Sequence, residues 1–257
     1  MAFPTIVFGE PGDQRATSST KIKNYSLGTR MHLPDGSVFA YARVSSTAAT
    51  VAGDLYVGGG GYGASDAGWD NDAVITAGGG AGSTTVTVTA GATTAVTANQ
   101  FEDGWFGVQD QTGEGHVYQI DGNTSAAAGS AVVITVKEGF HVGLAAGTSQ
   151  AAIKENEYAA ITHNTADTVN SGPVVGIMPT AATASYYCWV QRRGTCMAAT
   201  DNTTLVQGNA FVASTSVAGQ VAPLIAGSTV SKARSFLGYV MCVAASSEYS
   251  MVSLQLD

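Results

Sequence analysis

Apolar and polar residues alternate with a period of two in several segments of the chain, as they do in a strand that buries one face. Residues 84–89 read TTVTVT, and 249–256 near the carboxyl end read YSMVSLQL. The sequence LPDGS at 33–37 is a turn signal, so the segments 29–33 and 38–43 on either side of it form a predicted hairpin. The alternation therefore predicts strands and tight turns as the main elements.

Further segments show the same strand pattern between turn residues. They are 104–108, 116–120, 131–136, 173–178, 185–191, 205–206, 209–212 and 236–243. Turns are predicted at Arg193–Gly194 and Gly208–Asn209. Two segments, 147–158 and 230–237, allow at most two helical turns, and a loop is equally open for each. The predicted fold is all-β, with a barrel or sandwich body of short antiparallel strands.

Shifts in composition divide the chain. Residues 1–24 combine prolines and glycines with a Ser/Thr run and few apolar residues, which predicts an extended amino-terminal arm that becomes ordered on a partner. A glycine-rich stretch from Gly58 to Ala81 indicates a boundary or a long surface loop. The strands that follow it, as far as residue 149, form a separate predicted β-module.

Charged residues make up only 12% of the chain, about half the usual share, so little of its surface carries charge. The net charge of −8 would repel a polyphosphate, which predicts no direct nucleic-acid partner. The first residues, MAFPTIVF, lack a signal-peptide pattern, and no segment has the apolar length of a membrane span. We expect synthesis in a cytosol and no membrane partner.

A search for reactive side chains predicts no catalytic site, no cofactor and no bound metal. The glycine pattern at 58–63 fits G-x-G-x-x-G, but polar loop residues follow it where a dinucleotide site needs a helix. The aspartates at 66, 70 and 72 lack the spacing of a calcium loop. The four histidines are scattered, and the hydrolase motif G-x-S-x-G does not occur.

Tryptophans and cysteines have plain structural interpretations. Trp105 and Trp189 lie within predicted strands and are expected to pack in the core, whereas Trp69, with Tyr62, lies on the glycine-rich loop and could form a surface-binding loop. Three cysteines without a C-x-x-C pair indicate small buried apolar residues and not a disulfide framework.

Three stretches resemble structural proteins of tailed-phage virions, specifically capsid decoration, or cement, proteins. The first is 25–43 (YSLGTRMHLPDGSVFAYAR) followed by AGDL at 52–55, and the second is 103–123 (DGWFGVQDQTGEGHVYQIDGN). The third begins with GPVVGI at 172–177 and continues through YCWVQRRG at 187–194 to FLGYV at 236–240. Shorter relatives run from the first stretch almost directly into the third. The resemblance therefore implies a body of 25–60 and 150–257 with an inserted β-module, 61–149.

The resemblance also implies a role. Such a protein binds the outer surface of an icosahedral shell, as a homotrimer that contacts the major capsid protein and bridges neighbouring subunits. The expected location is the virion. Within the arm, we expect four apolar residues to anchor the chain on the shell: Phe3, Ile6, Val7 and Phe8.

Three other functions stay open. The first is a carbohydrate-binding host-adhesion or head-fibre protein that uses Tyr62 and Trp69. The second is a shell-forming or tail-tube subunit. The third is a hydrolase with Cys188 or a serine as nucleophile.

Overall fold

A computed structural model describes residues 6–58, 73–89, 95–166, 172–224 and 235–256. Within these ranges the regular structure is seventeen strands and one 3₁₀ helix, Asp13–Arg15, which confirms the all-β prediction. The strands are β1 Ile6–Phe8, β2 Arg30–His32, β3 Val38–Arg43, β4 Leu55–Val57, β5 Ala73–Gly78, β6 Thr85–Thr89, β7 Trp105–Asp110, β8 Val117–Asn123, β9 Ala131–Val136, β10 Gln150–Lys154, β11 Thr162–His163, β12 Val174–Ile177, β13 Tyr187–Ala199, β14 Ala210–Ala213, β15 Val221–Pro223, β16 Gly238–Cys242 and β17 Tyr249–Gln255.

The chain forms two compact units. The first comprises residues 1–59 and 157–257 and is called the body here, and the second comprises 60–156 and is called the inserted unit. The predicted body resumed at 150, but β10 pairs with β5 and β7 and belongs to the inserted unit. The segment 147–158, for which one or two helical turns were open, therefore contains a strand.

The inserted unit is a closed antiparallel barrel with the strand order β10-β5-β6-β9-β8-β7. Alternate residues point inward, so Phe106 and Val108 of β7 are buried with Ile120 of β8 and Ile134 of β9. Because the ring of strands is closed, the barrel leaves no unpaired strand edge. The buried side chains of the barrel form one hydrophobic cluster.

The body contains a mixed eleven-stranded sheet. Its main path runs β1-β2-β3-β13-β17-β16-β14-β15, and β4, β11 and β12 pair beside this path. The predicted turn at Arg193–Gly194 is wrong, because β13 continues through these residues. Its first half pairs with β3 and its second half with β17, and a bulge lies between Gln191 and Arg193. A bulge bends a strand without ending it.

The amino-terminal segment is extended, and it is ordered on the body itself. β1 pairs in parallel with β2, Ser18 forms a bridge with Tyr187, and the Ile22 amide donates to the Tyr41 hydroxyl at 2.9 Å. The expectation that the arm needs a partner to become ordered therefore does not hold for residues 6–24. The reason is that β2 offers an unpaired edge within the same chain.

The carboxyl-terminal strand confirms its predicted alternation, because Val252 and Leu254 are buried while the residues between them face outward. Arg192 fixes the end of this strand: its guanidinium donates to the carbonyl oxygens of Val175 at 3.2 Å and of Leu256 at 3.1 Å. The buried Arg192 thus joins β12, β13 and the residue after β17. The predicted strand at 205–206 is not observed.

Tyrosine and cysteine side chains that are buried or partly buried in the body are expected to destabilise the fold at alkaline pH. Desolvation by burial raises the pKa of Tyr41, Tyr56 and Tyr158 above the ordinary tyrosine value of 10.0, and it raises the pKa of Cys188 and Cys196 from 9.0 to about 12. Since each folded-state pKa exceeds its unfolded value, the unfolded chain loses these protons first. Their contribution to stability is therefore complete below pH 9 and is lost as the pH rises through the folded-state values.

We expect the free energy of unfolding to fall steeply above about pH 9, by up to about 1.4 kcal/mol per pH unit for each group that titrates. Guanidinium unfolding curves at a series of pH values between about 8 and 11 measure this slope. A free energy that stays level across this range would contradict the assignment of these groups to the core.

Candidate interaction surface

Large apolar side chains cover the outer face of three adjacent strands in the body. We call this set the methionine face, and it consists of Met197 on β13, Tyr239 and Met241 on β16, and Tyr249 and Met251 on β17, all of them exposed. The sheet register brings them together, because Met197 lies opposite Met251 and Met251 lies opposite Cys242. The result is one contiguous apolar surface on a sheet whose other side is buried.

The alternation along β17 explains why these side chains face outward. Val252 and Leu254 point into the core with the small Ser250, so the odd-numbered residues between them point away from it. Two exposed residues extend the face along and beyond β16. Phe236 contacts Tyr239 edge to face, with ring centroids 5.2 Å apart, and Val243 follows Cys242.

Cys242 is itself exposed, which corrects the expectation that all three cysteines are buried. Cys188 is buried and Cys196 is partly buried, as expected. A register shift between Val240 and Cys242 leaves both Met241 and Cys242 exposed. This interruption of the alternation is the physical reason for the exposed thiol.

A groove of about 520 Å³ adjoins the methionine face. Its apolar lining includes Leu33, Phe39 and Met178, and its polar lining includes Arg15, Asp35 and Gln191. Met197 and Tyr249 belong to both the groove and the methionine face. The two features therefore form one surface with a flat part and a concave part.

Three of the four predicted anchor residues, Ile6, Val7 and Phe8, form β1 at the edge of the same sheet. Phe3 lies outside the described residues. Val7 points inward and packs against a buried cluster, whereas Ile6 is exposed and Phe8 is 88% exposed. The anchors are thus divided between the core and the surface.

The backbone of β1 is also oriented for contact. The Gly9 amide donates to the His32 carbonyl at 3.0 Å, so residues 7 and 9 direct their backbone groups towards β2. In a parallel ladder the alternate residues, Ile6 and Phe8, then direct their backbone N–H and C=O groups away from β2. Among the described residues, β1 pairs only with β2, so it is an edge strand of the sheet.

Charge is divided unequally between the two units. Of the 19 acidic and 11 basic residues, ten acidic and two basic ones lie within 60–156. Nine of each remain in the body, so the formal charge of −8 belongs entirely to the inserted unit. The methionine face therefore lies on the unit without net charge.

The tryptophans differ from one another. Trp189 is 4% exposed and confirms its predicted place in the core, but Trp105 is 49% exposed and the prediction for it is wrong. Since Phe106 and Val108 fill the barrel interior, Trp105 must point outward. The predicted surface-binding residues Tyr62 and Trp69 lie outside the described residues.

A polar cluster that the sequence did not reveal joins β4 to β11. His163 Nε2 lies 3.0 Å from Asp54 Oδ2 and 2.5 Å from the Tyr56 hydroxyl, which also accepts from the Val51 amide at 2.9 Å. Gly219 makes room for it, because a side-chain carbon at this position would lie 2.8 Å from His163 Cδ2. The cluster crosslinks segments that are far apart in the sequence.

Two reactive groups of the body, the Cys188 thiol and the Tyr56 hydroxyl, are held in their protonated forms by burial. Burial raises the pKa of Cys188 to about 12, so its thiolate, the nucleophilic form, is strongly disfavoured at neutral pH. The Tyr56 hydroxyl is buried, and desolvation raises its pKa. Among the described residues, no three side chains of the metal-binding types come together. These observations count against Cys188 as the nucleophile of a hydrolase.

Comparisons with family models, with curated proteins and with solved structures find no significant match to this chain. No helix in the described ranges is both long and apolar enough to cross a membrane.

Proposed function

We propose that this chain is a structural virion protein that binds the outer surface of a tailed-phage capsid and stabilises it by bridging capsid subunits. The observation that carries the proposal is the methionine face with its adjoining groove. The major capsid protein is the proposed partner, and a homotrimer is the proposed bound form. No covalent chemistry is part of this function.

The composition of the methionine face supports a protein partner. Contiguous apolar surface on a soluble protein marks a contact site, and methionine and aromatic residues are enriched in the buried centre of such contacts. Methionine side chains adapt to irregular surfaces because they are unbranched and polarizable. The groove beside them, lined by Leu33 and Phe39, would accept an apolar side chain of the partner.

The division of charge supports the choice of the body as the contact unit. A unit with nine acidic and nine basic residues can approach a protein surface of either sign without net repulsion. The acidic inserted unit keeps the chain soluble, and it repels nucleic acid. The contact would therefore form through the methionine face of the body.

The edge strand β1 supplies a second proposed contact. The exposed Ile6 and Phe8 present both their side chains and their outward backbone groups to a neighbouring strand. A capsid segment that pairs with this edge would satisfy these backbone groups by strand addition. The proposed anchor role is therefore shared between these residues. Val7 holds β1 on the body, and a capsid strand would pair with the free edge of β1 beside Ile6 and Phe8.

The stabilisation would follow from mass action. A protein that binds the assembled shell and not its dissociated subunits shifts the equilibrium towards the shell by its binding free energy. Contacts from several copies add their effects when each copy bridges two or more subunits. The resemblance of 25–43 and 103–123 to decoration proteins agrees with this mode of action.

Co-sedimentation with shells of the corresponding phage, prepared without this chain, tests the proposal. We expect saturable binding to expanded shells, with a copy number that is a multiple of three, and a higher melting temperature of the decorated shell. Absence of binding to such shells would refute the proposal. Tubes or shells formed by the pure chain alone would instead identify a shell-forming or tail-tube subunit.

A further inference from the structure

The outward-facing Trp105 marks a distinct surface on the barrel. It lies on β7 with Gln119 of β8 on one side and Lys154 of β10 on the other, in direct cross-strand register. Side chains in such register are about 4.5–5.5 Å apart at their Cβ atoms. The exposed indole is thus flanked on both sides by long polar side chains.

The next row of residues leaves space beside the indole. Gly107 follows on the same face of β7, between its register partners Ala152 and Val117. Gly107 has no side chain and Ala152 has a single methyl group, so the surface drops beside Trp105 and rises again at the exposed Val117. A side-chain carbon built on Gly107 would have only Val117 Cγ2, at 3.9 Å, within 4 Å, so the space above this glycine is open, and we call it the depression.

We propose that this depression binds a neutral carbohydrate. One face of a pyranose ring consists of C–H groups that pack on an indole, while its hydroxyl groups need donors and acceptors at the rim. Gln119, the register partner of Trp105 on β8, carries both a donor and an acceptor in its side-chain amide. The arrangement matches one sugar ring with hydroxyl groups at its edges.

Other ligand classes fit this surface less well. The barrel is closed, so a partner strand cannot pair with an edge next to Trp105. The net charge of −8 on the inserted unit opposes nucleic acids and acidic sugars alike. A protein contact of the usual kind would need a larger apolar centre than one tryptophan and one valine. A neutral glycan is the class that meets these conditions.

Binding of the full chain to a printed glycan array, followed by titration of the retained glycans, tests the inference. We expect retention of neutral pyranose oligosaccharides, with affinities that change little with salt because no ion pair is required. Trp105→Ala should weaken binding by at least about tenfold, equivalent to about 1.4 kcal/mol, since a central aromatic residue commonly contributes this much to a contact. No retention of any neutral glycan would overturn the inference.

A second variant separates the site from general effects on the fold. A side-chain carbon at position 107 would lie 3.9 Å from Val117 Cγ2, an ordinary contact, so Gly107→Val should fold and fill the depression. We expect Gly107→Val to lose glycan binding with an unchanged melting temperature. Thr85→Ala, which changes an exposed residue of β6, should bind glycans as the wild type does. Binding that survives in both Trp105→Ala and Gly107→Val would also overturn the inference. The site lies on the inserted unit, so its failure would leave the proposed shell contact of the body untouched.

Discussion

Gly238→Ala is expected to destabilise the body by about 3 kcal/mol or more, the largest stability effect that we predict for a single methyl group. Gly238 has a φ of +153° and packs against β17 so closely that an added Cβ would lie 2.0 Å from the Ser253 carbonyl oxygen. The clash can be relieved only if β16 moves away from β17. That movement would disrupt the two strands that carry most of the methionine face.

Gly208→Ala is the matched control for this variant. Gly208 also lies in the body and has a positive φ of +81°, but no atom lies within 4 Å of the position that its Cβ would occupy. Gly208→Ala should therefore lower the free energy of unfolding only by the strain of a left-handed backbone, about 1–2 kcal/mol. Chemical unfolding of both variants measures the difference, and equal destabilisation would show that the β16–β17 contact is not tightly packed.

Met251→Glu is expected to weaken binding to the shell by about 100-fold or more, with little effect on the fold. Met251 lies in the middle of the methionine face, between Met197 and Cys242 in register. A carboxylate there would lose its water on binding without gaining a partner, and an unpaired charge in an interface costs several kcal/mol. In the free protein the same side chain is 37% exposed, so a charged group remains hydrated.

Val74→Glu provides the control for this charge. Val74 is an apolar strand residue with a similar exposure, 39%, but it lies on the barrel and not on the body. Its replacement by Glu adds the same charge to the chain and should leave shell binding unchanged within a factor of about two. Equal loss of binding in both variants would indicate a general charge effect and remove the methionine face from the proposed contact.

Strands marked by a turn signal or by alternation could be predicted from the sequence. Val38–Arg43 has the predicted bounds because the turn at 33–37 precedes it, and Ala131–Val136 has them because it alternates with a period of two. The strand β4 was missed because all three of its residues are buried and it shows no alternation. Gly194 suggested a turn because glycine favours turns, but in the structure it lies within β13, close to Ser37 of the neighbouring hairpin.

The candidate surface could be predicted only in part. The apolar character of Ile6 and Phe8 is visible in the sequence, and so is the low share of charged residues. The methionine face is not, since Met197 and Met251 become neighbours only through the register of β13 and β17. Trp105 shows the same limit: its strand was predicted, but which face of it lines the barrel depends on how the strands close.

We propose that the neutral body carries the chain onto a phage shell. Cryo-electron microscopy of the native particle tests this claim most directly, because it shows both the position of the chain and the residues in contact. We predict density for the chain on the outer capsid surface, with Met197, Met241 and Met251 against the major capsid protein. A particle that carries the chain in its tail, or that contacts it only through the barrel, would contradict the account.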